Sequence, residues 1–178
     1  MSTKDFLPER YKVPQNSSKY LRFVVGENRF RILASPVIGW EAWVVEDGKD
    51  KPVRFRINDK PSDLRGFKNE RLAHFWAMPV WNVKEETIQI LEITQSGIQG
   101  KIENLVADDD WGSPLNYDLK VIRTGEKLDT EYEVNPAPKS EPSNKARELF
   151  ASTKINLDKL FTNDNPFGEE SLEDENDS

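Results

Sequence analysis

The stretch from Ala73 to Thr94 constrains this chain more than any other. It reads AHFWAMPVWNVKEETIQILEIT, two apolar and aromatic runs parted only by Lys84, Glu85 and Glu86. Runs of this kind around a short polar break predict an antiparallel strand pair, Ala73–Val83 and Thr87–Thr94. On the first strand, alternation puts His74, Trp76, Met78, Val80 and Asn82 on one face. Phe75, Ala77, Pro79, Trp81 and Val83 fall on the other. Pro79 has no N–H to give to a ladder, so it marks an edge or a bulge. Adjacent Phe75 and Trp76 point opposite ways, so at least one is expected on a surface or in a groove.

The remaining elements follow from the same periodicities. Tyr20–Leu33 holds two extended pieces, LRFVV and NRFRIL; in the second, Phe30 and Ile32 face one way and Arg29 and Arg31 the other. That is the pattern of a half-buried strand. Gly39–Val45 alternates Trp40, Ala42 and Val44 against Glu41, Trp43 and Val45, and Val53–Ile57 is also strand-like. Ile98, Ile102, Leu105 and Val106 recur at helical spacing from about Ser96 to Ala107, in a helix weakened by Gly97 and Gly100. Tyr117–Arg123 and Thr130–Val134 read as a closing hairpin. Phe30, Trp111 and Tyr117 are expected in the core. The order predicts a mainly β fold, a five-stranded Greek-key barrel of the oligonucleotide-binding (OB) type with one helix between strands. A β-sandwich can be written from the same runs.

Residues 1–19 read as a flexible polar arm and 20–138 as the folded domain. Within it, 46–71 reads as an irregular basic insertion: from Lys49 to Arg71 there are eight basic residues against four acids. Residues 139–161 read as a linker with short helical patterns, ARELF and LDKLF. Residues 162–178 read as a disordered acidic tail. The net charge of −7 sits in that tail, which has seven acids and no Lys or Arg; residues 1–161 hold 25 bases and 25 acids. The overall charge therefore does not argue against a polyanionic partner of the body.

Cysteine is absent, which excludes disulfides and thiolate metal sites and fits a reducing cytoplasm. No apolar run approaches the roughly 18 residues of a membrane span, and MSTKDFLPERYK has no signal-peptide core. A cytoplasmic protein without membrane contact is expected. Signals for catalysis are thin. The single histidine, His74, stands among strand aromatics and reads as packed. Asp108, Asp109 and Asp110 could hold Mg²⁺ as in a nuclease, but consecutive loop residues point apart and read as a polar loop after a helix. No phosphate-cradling glycine loop, nucleophile elbow or zinc pattern is present. The chain is expected to be non-enzymatic, with no cofactor and no metal.

Binding signals are stronger. Single strands are held in basic grooves floored with aromatic side chains. Trp40, Trp43, Phe55, Trp76 and Trp81 are candidate stacking platforms. Arg54, Arg56, Lys60, Arg65, Lys68 and Arg71 are candidate phosphate contacts. In the tail, Phe167, Glu169, Glu170, Glu173, Asp174, Glu175 and Asp177 are candidates to bind a partner. A tethered polyanion also competes with nucleic acid at high effective concentration.

The segments PVWNVKEETIQILEITQ, DDDWGSPLNYDLKVIRTG and LDTEYEVNPAP resemble the single-stranded DNA-binding proteins of tailed bacteriophages and related prophages. The resemblance runs over about residues 28–138. It implies an OB barrel that coats single-stranded DNA in phage replication, recombination and repair, with an acidic tail that contacts replication proteins. Some such proteins carry a zinc-binding insertion built on cysteines, which this chain lacks, and several single-strand binders end in an aromatic, whereas Phe167 here lies eleven residues before the end. Two other readings stay open: a protein-interaction or recombination-mediator module on the same barrel, and a metal-dependent nuclease using Asp108–Asp110. An RNA preference is a further alternative.

Overall fold

The structure, a computed structural model, describes residues 19–168. Seven strands form one antiparallel sheet: β1 (Gly26–Ile32), β2 (Val37–Glu46), β3 (Lys49–Arg56), β4 (Ala73–Asn82), β5 (Thr87–Ile93), β6 (Leu119–Thr124) and β7 (Glu131–Pro136). Helix α1 (Ser96–Ala107) connects β5 to β6, and α2 (Asn144–Ser152) follows β7. The mainly β expectation holds. The strand count is seven rather than five, and the sheet is open, in the order β3-β2-β4-β1-β6-β7 with β5 on the second edge of β4.

β4 is the hub. Its first half pairs with β2, from Val37↔Ala77 to Glu41↔Ala73, and its second half with β1, from Phe30↔Asn82 to Ile32↔Val80. β5 pairs along its other edge from Trp76↔Ile93 to Asn82↔Thr87. Pro79 therefore lies in mid-sheet, contrary to the expectation of an edge or a bulge. Its carbonyl accepts from Leu33 N–H (2.9 Å) on the side where β1 ends and β2 has yet to begin. The N–H that proline lacks would point into that same break, so no ladder bond is lost.

One face of the sheet carries the main core: Phe30, Ile32, Met78, Val80, Leu91 and Ile93, closed over by Ile98 and Ile102 of α1 and by Tyr117, Leu119 and Val121. Gln99 locks α1 in place. Its buried Nε2 donates to the carbonyls of Ile93 (2.8 Å) and His74 (3.1 Å). Phe30 and Tyr117 are in this core as expected, and Trp111 packs against it at a ring distance of 5.4 Å from Tyr117.

The opposite face is covered by 139–168, the segment read in sequence as a linker and the start of a tail. Ala146 of α2 packs on Trp81 and Ile88. A 3₁₀ turn over Leu157–Thr162 lays Leu157, Leu160 and Phe161 against Phe75, Ala77 and Ile90. Phe75 is thus wholly buried and Trp76 partly so. The strap closes over Phe75, and Trp76 is the member of the pair that lies in a groove, as expected, on the wall of an open cavity on the other face. Among the described residues, no helix is long and apolar enough to cross a membrane.

Candidate functional site

The candidate aromatic and basic residues gather where β2, β3 and the start of β4 meet the loop 57–72. Trp40 faces its cross-strand neighbours Phe55 and His74. Its ring lies 4.9 Å from the His74 ring, and Nε1 donates to Ile57 O (3.0 Å). Lys60 Nζ stands 4.4 Å over the Trp40 ring, a cation–π contact. His74 Nδ1 is 2.9 Å from Gly39 O, so the histidine is a packed one. Phe55 meets Phe67 edge-on at 5.9 Å. Trp43, on the other side of β2, is 41% exposed.

Two cavities flank this region. One, about 380 Å³, is bounded by Trp43, Glu41, Asp50, Lys68, Asn69 and Arg71. The other, about 750 Å³, is bounded by Trp40, Lys60, Leu64, Asn69, Glu70 and Arg71. Both fall in the range of about 300–1,000 Å³ typical of ligand clefts. Two exposed cations of this region are held in loose surface pairs: Lys68, on the wall of the first cavity, with Asp50 (2.6 Å), and Arg56, which lines neither cavity, with Asp158 (3.3 Å). Such pairs are worth about 0–1 kcal/mol, so a phosphate can compete for these cations at little cost. Arg56 also lies 4.5 Å over the Phe161 ring of the strap.

Five sequence candidates are placed elsewhere. Trp81 is 6% exposed, packed with Ile88 and Ala146, and offers no face to a ligand. Arg54 is largely buried between two carboxylates, Glu41 Oε2 (3.1 Å) and Glu92 Oε1 (2.8 Å), and is taken out of phosphate contact by them. Arg65 is exposed but clamped by Asp63, which it holds below the ordinary carboxylate range through side-chain and backbone hydrogen bonds; it lines neither cavity. Trp76 is half-buried on the wall of a third, apolar cavity of about 290 Å³ with Ile32, Met78, Ile102, Val106 and Leu115. Phe167 is half-buried in the strap cluster with Lys19 Nζ 5.2 Å over its ring. The tail acids Glu169, Glu170, Glu173, Asp174, Glu175 and Asp177, and the arm 1–18, lie outside the described residues.

Sequence reasoning missed Asn69 and Glu70. They are the two left-handed residues (φ 57° and 47°) of the turn that ends in Arg71. Asn69 was the legible signal, since asparagine tolerates this conformation better than most residues. The whole segment 46–71 is also less basic than its Lys49–Arg71 part, because Glu46 and Asp47 raise its acids to six against eight bases. Asp108 is engaged at the end of α1: its Oδ1 accepts from Asp110 N–H (2.7 Å), and its carbonyl accepts from Gly112 N–H (2.9 Å). Among the described residues, no group of three or more His, Cys, Asp or Glu is placed to hold a metal ion.

Burial raises the Glu92 carboxyl above its ordinary pKa; the Glu41 charge adds to this and Arg54 opposes it. The folded state therefore holds this proton over a pH interval in which the unfolded chain has released it. Stability from this group is full below the unfolded value and falls as pH rises through the folded one. Glu92→Gln removes that loss. Urea unfolding from about pH 4 to about pH 7 should show the variant gaining on the parent as pH rises. A difference that is flat with pH would mean that Glu92 titrates alike in the folded and unfolded chains, and a parent that gains on the variant would mean that Arg54 keeps Glu92 ionised.

No known protein-family model matches the chain, and no curated protein matches it significantly.

Proposed function

We propose that this protein binds single-stranded DNA with little sequence preference and acts without catalysis of its own, in the setting of phage replication, recombination and repair. The observation that carries this is the pair of open, aromatic-walled cavities at Trp40 and Trp43, rimmed by Lys60, Lys68 and Arg71. Trp40, Trp43 and Phe55 supply ring faces, and Arg56, Lys60, Lys68 and Arg71 supply charge. The acidic tail competes with the strand for these cations and is freed for replication partners when DNA binds.

The architecture supports an OB-type reading. β1 and β2 are two halves of one interrupted strand along β4. Counting them once, and taking β3 as an inserted arm, leaves five strands with α1 between the third and the fourth. The apolar cavity beside Trp76 favours a second reading, a module that binds protein side chains.

The test is tryptophan fluorescence titrated with an oligo-dT strand at low and high salt, on the full chain and on a chain ended after Gly168. Quenching that reverses with salt, and is tighter in the shortened chain, is expected. Trp40→Ala or Trp43→Ala should weaken binding about 5- to 150-fold, the worth of one stacked base. No quenching in either chain would sink the single-strand reading in favour of the protein-binding module. Tighter binding to the matching RNA would change the ligand but not the site.

A further inference from the structure

The two tryptophans of this site stand on opposite sides of the sheet. β4 starts at Ala73, opposite Glu41, whereas β2 runs on to Glu46. The turn Lys68-Asn69-Glu70-Arg71 packs beside β2 just ahead of this start, closed by Arg71 N–H to Lys68 O (3.3 Å). Trp40 and Trp43 are three apart on a strand and so face opposite sides of it. Each walls its own cavity, and the two cavities share Asn69 and Arg71 and no other lining residue.

Charge sorts what each place accepts. Glu70 repels a phosphate from the Trp40 cavity, and in the Trp43 cavity Glu41 and Asp50 already engage Arg54 and Lys68. Arg71 is exposed, and among the described residues no carboxylate pairs with it. It stands at the one place common to both cavities. The turn that presents it holds Asn69 and Glu70 at φ 57° and 47°, a conformation glutamate seldom adopts. Strain of this kind persists where the surroundings enforce it and gathers at ligand sites.

Building on the single-strand function proposed above, we propose that a bound strand crosses from one side of β2 to the other at Arg71. One base enters the Trp40 cavity, another the Trp43 cavity, and a phosphate of the linking backbone rests on the Arg71 guanidinium. Arg71 is thus the cation that sets the path of the strand, and Lys60 and Lys68 flank it on either side.

The test is anisotropy of a labelled oligo-dT strand with the full chain over a salt series. Arg71→Ala should weaken binding about tenfold at low salt, as for a lost charge-assisted hydrogen bond. It should also reduce the slope of log K against log salt by about 0.7, the share of one single-strand phosphate. Arg71→Lys should restore the slope, and Arg65→Ala should stay within about twofold of the parent. In the Arg71→Ala background one of the two tryptophan penalties should vanish, because the strand then occupies one cavity. If the parent binds but Arg71→Ala behaves as Arg65→Ala does, or both tryptophan penalties persist unchanged, the crossing is wrong and the single-strand reading stands. If the parent binds no oligo-dT at any salt, both fall.

Discussion

Arg31→Ala is expected to lose about 3–5 kcal/mol of folding free energy, the cost of removing one partner from a buried ion pair. Arg31 is 1% exposed. Its Nε donates to Asp118 Oδ1 (2.7 Å), Nη1 to Ser140 O (2.9 Å) and Nη2 to Ser140 Oγ (2.8 Å). These bonds tie β1 to the turn before β6 and to the chain leaving β7. Without the guanidinium, the Ser140 carbonyl and one Asp118 oxygen lose their donors in a space that water reaches poorly. Arg29 still holds the other Asp118 oxygen at 2.9 Å, which keeps the loss from exceeding this range. Arg31→Met retains the apolar stem and should lose less. Adding Asp118→Asn to it should recover part of the difference, since the uncompensated charge is then gone. Equilibrium urea unfolding measures all three. A loss under about 1 kcal/mol for Arg31→Ala, the size of an ordinary surface pair, would show that water replaces the guanidinium and that the knot is not structural.

Gly39→Ala is the second large effect, expected at about 3 kcal/mol, the upper part of the overpacking range. A Cβ at Gly39 would lie 2.2 Å from the Phe55 carbonyl oxygen and 3.0 Å from ring carbons of both Phe75 and Phe161. The oxygen belongs to the backbone of the β2–β3 ladder and cannot turn aside. Two outcomes of the crowding are measurable together: a lower unfolding midpoint, and faster amide exchange over Leu157–Thr162 as Phe161 is pushed off the sheet. Gly97→Ala in α1 is the control. Nothing lies within 4 Å of that Cβ, so it should gain about 0.5–1 kcal/mol of helix propensity. A Gly39→Ala protein as stable as its parent would mean that β2 and β3 part at this end without penalty.

Much of the fold was legible because it rests on local periodicity. Alternation located β1, β2, β4 and β5 and both strands of the last hairpin, and the 3.6-residue spacing placed α1. ARELF lies in α2 and LDKLF in the 3₁₀ turn of the strap, as their patterns suggested. Of the candidate site, Trp40, Trp43, Phe55, Lys60, Lys68 and Arg71 do converge on one region. Composition alone picked them out, since aromatic and basic residues were dense there.

What the sequence determined by itself is what a residue's near neighbours decide: strand or helix, and which side chains share a face. It did not determine what covers each face. Arg31 reads as solvent-facing from its place between Phe30 and Ile32, yet Asp118 and Ser140, far along the chain, arrive above it. Arg54 and Trp81 read as ligand contacts until Glu41 and Glu92 enclose the one and α2 covers the other. The strap 139–168 covers the face of β4 and β5 that carries Phe75, Ala77 and Ile90, and the shared border of the two tryptophan cavities exists only because β2 runs on to Glu46 beyond the point where β4 starts. Such pairings join residues dozens of positions apart. Their free energy comes from removing water between surfaces that meet only in the folded chain, and no local pattern encodes which surfaces those are.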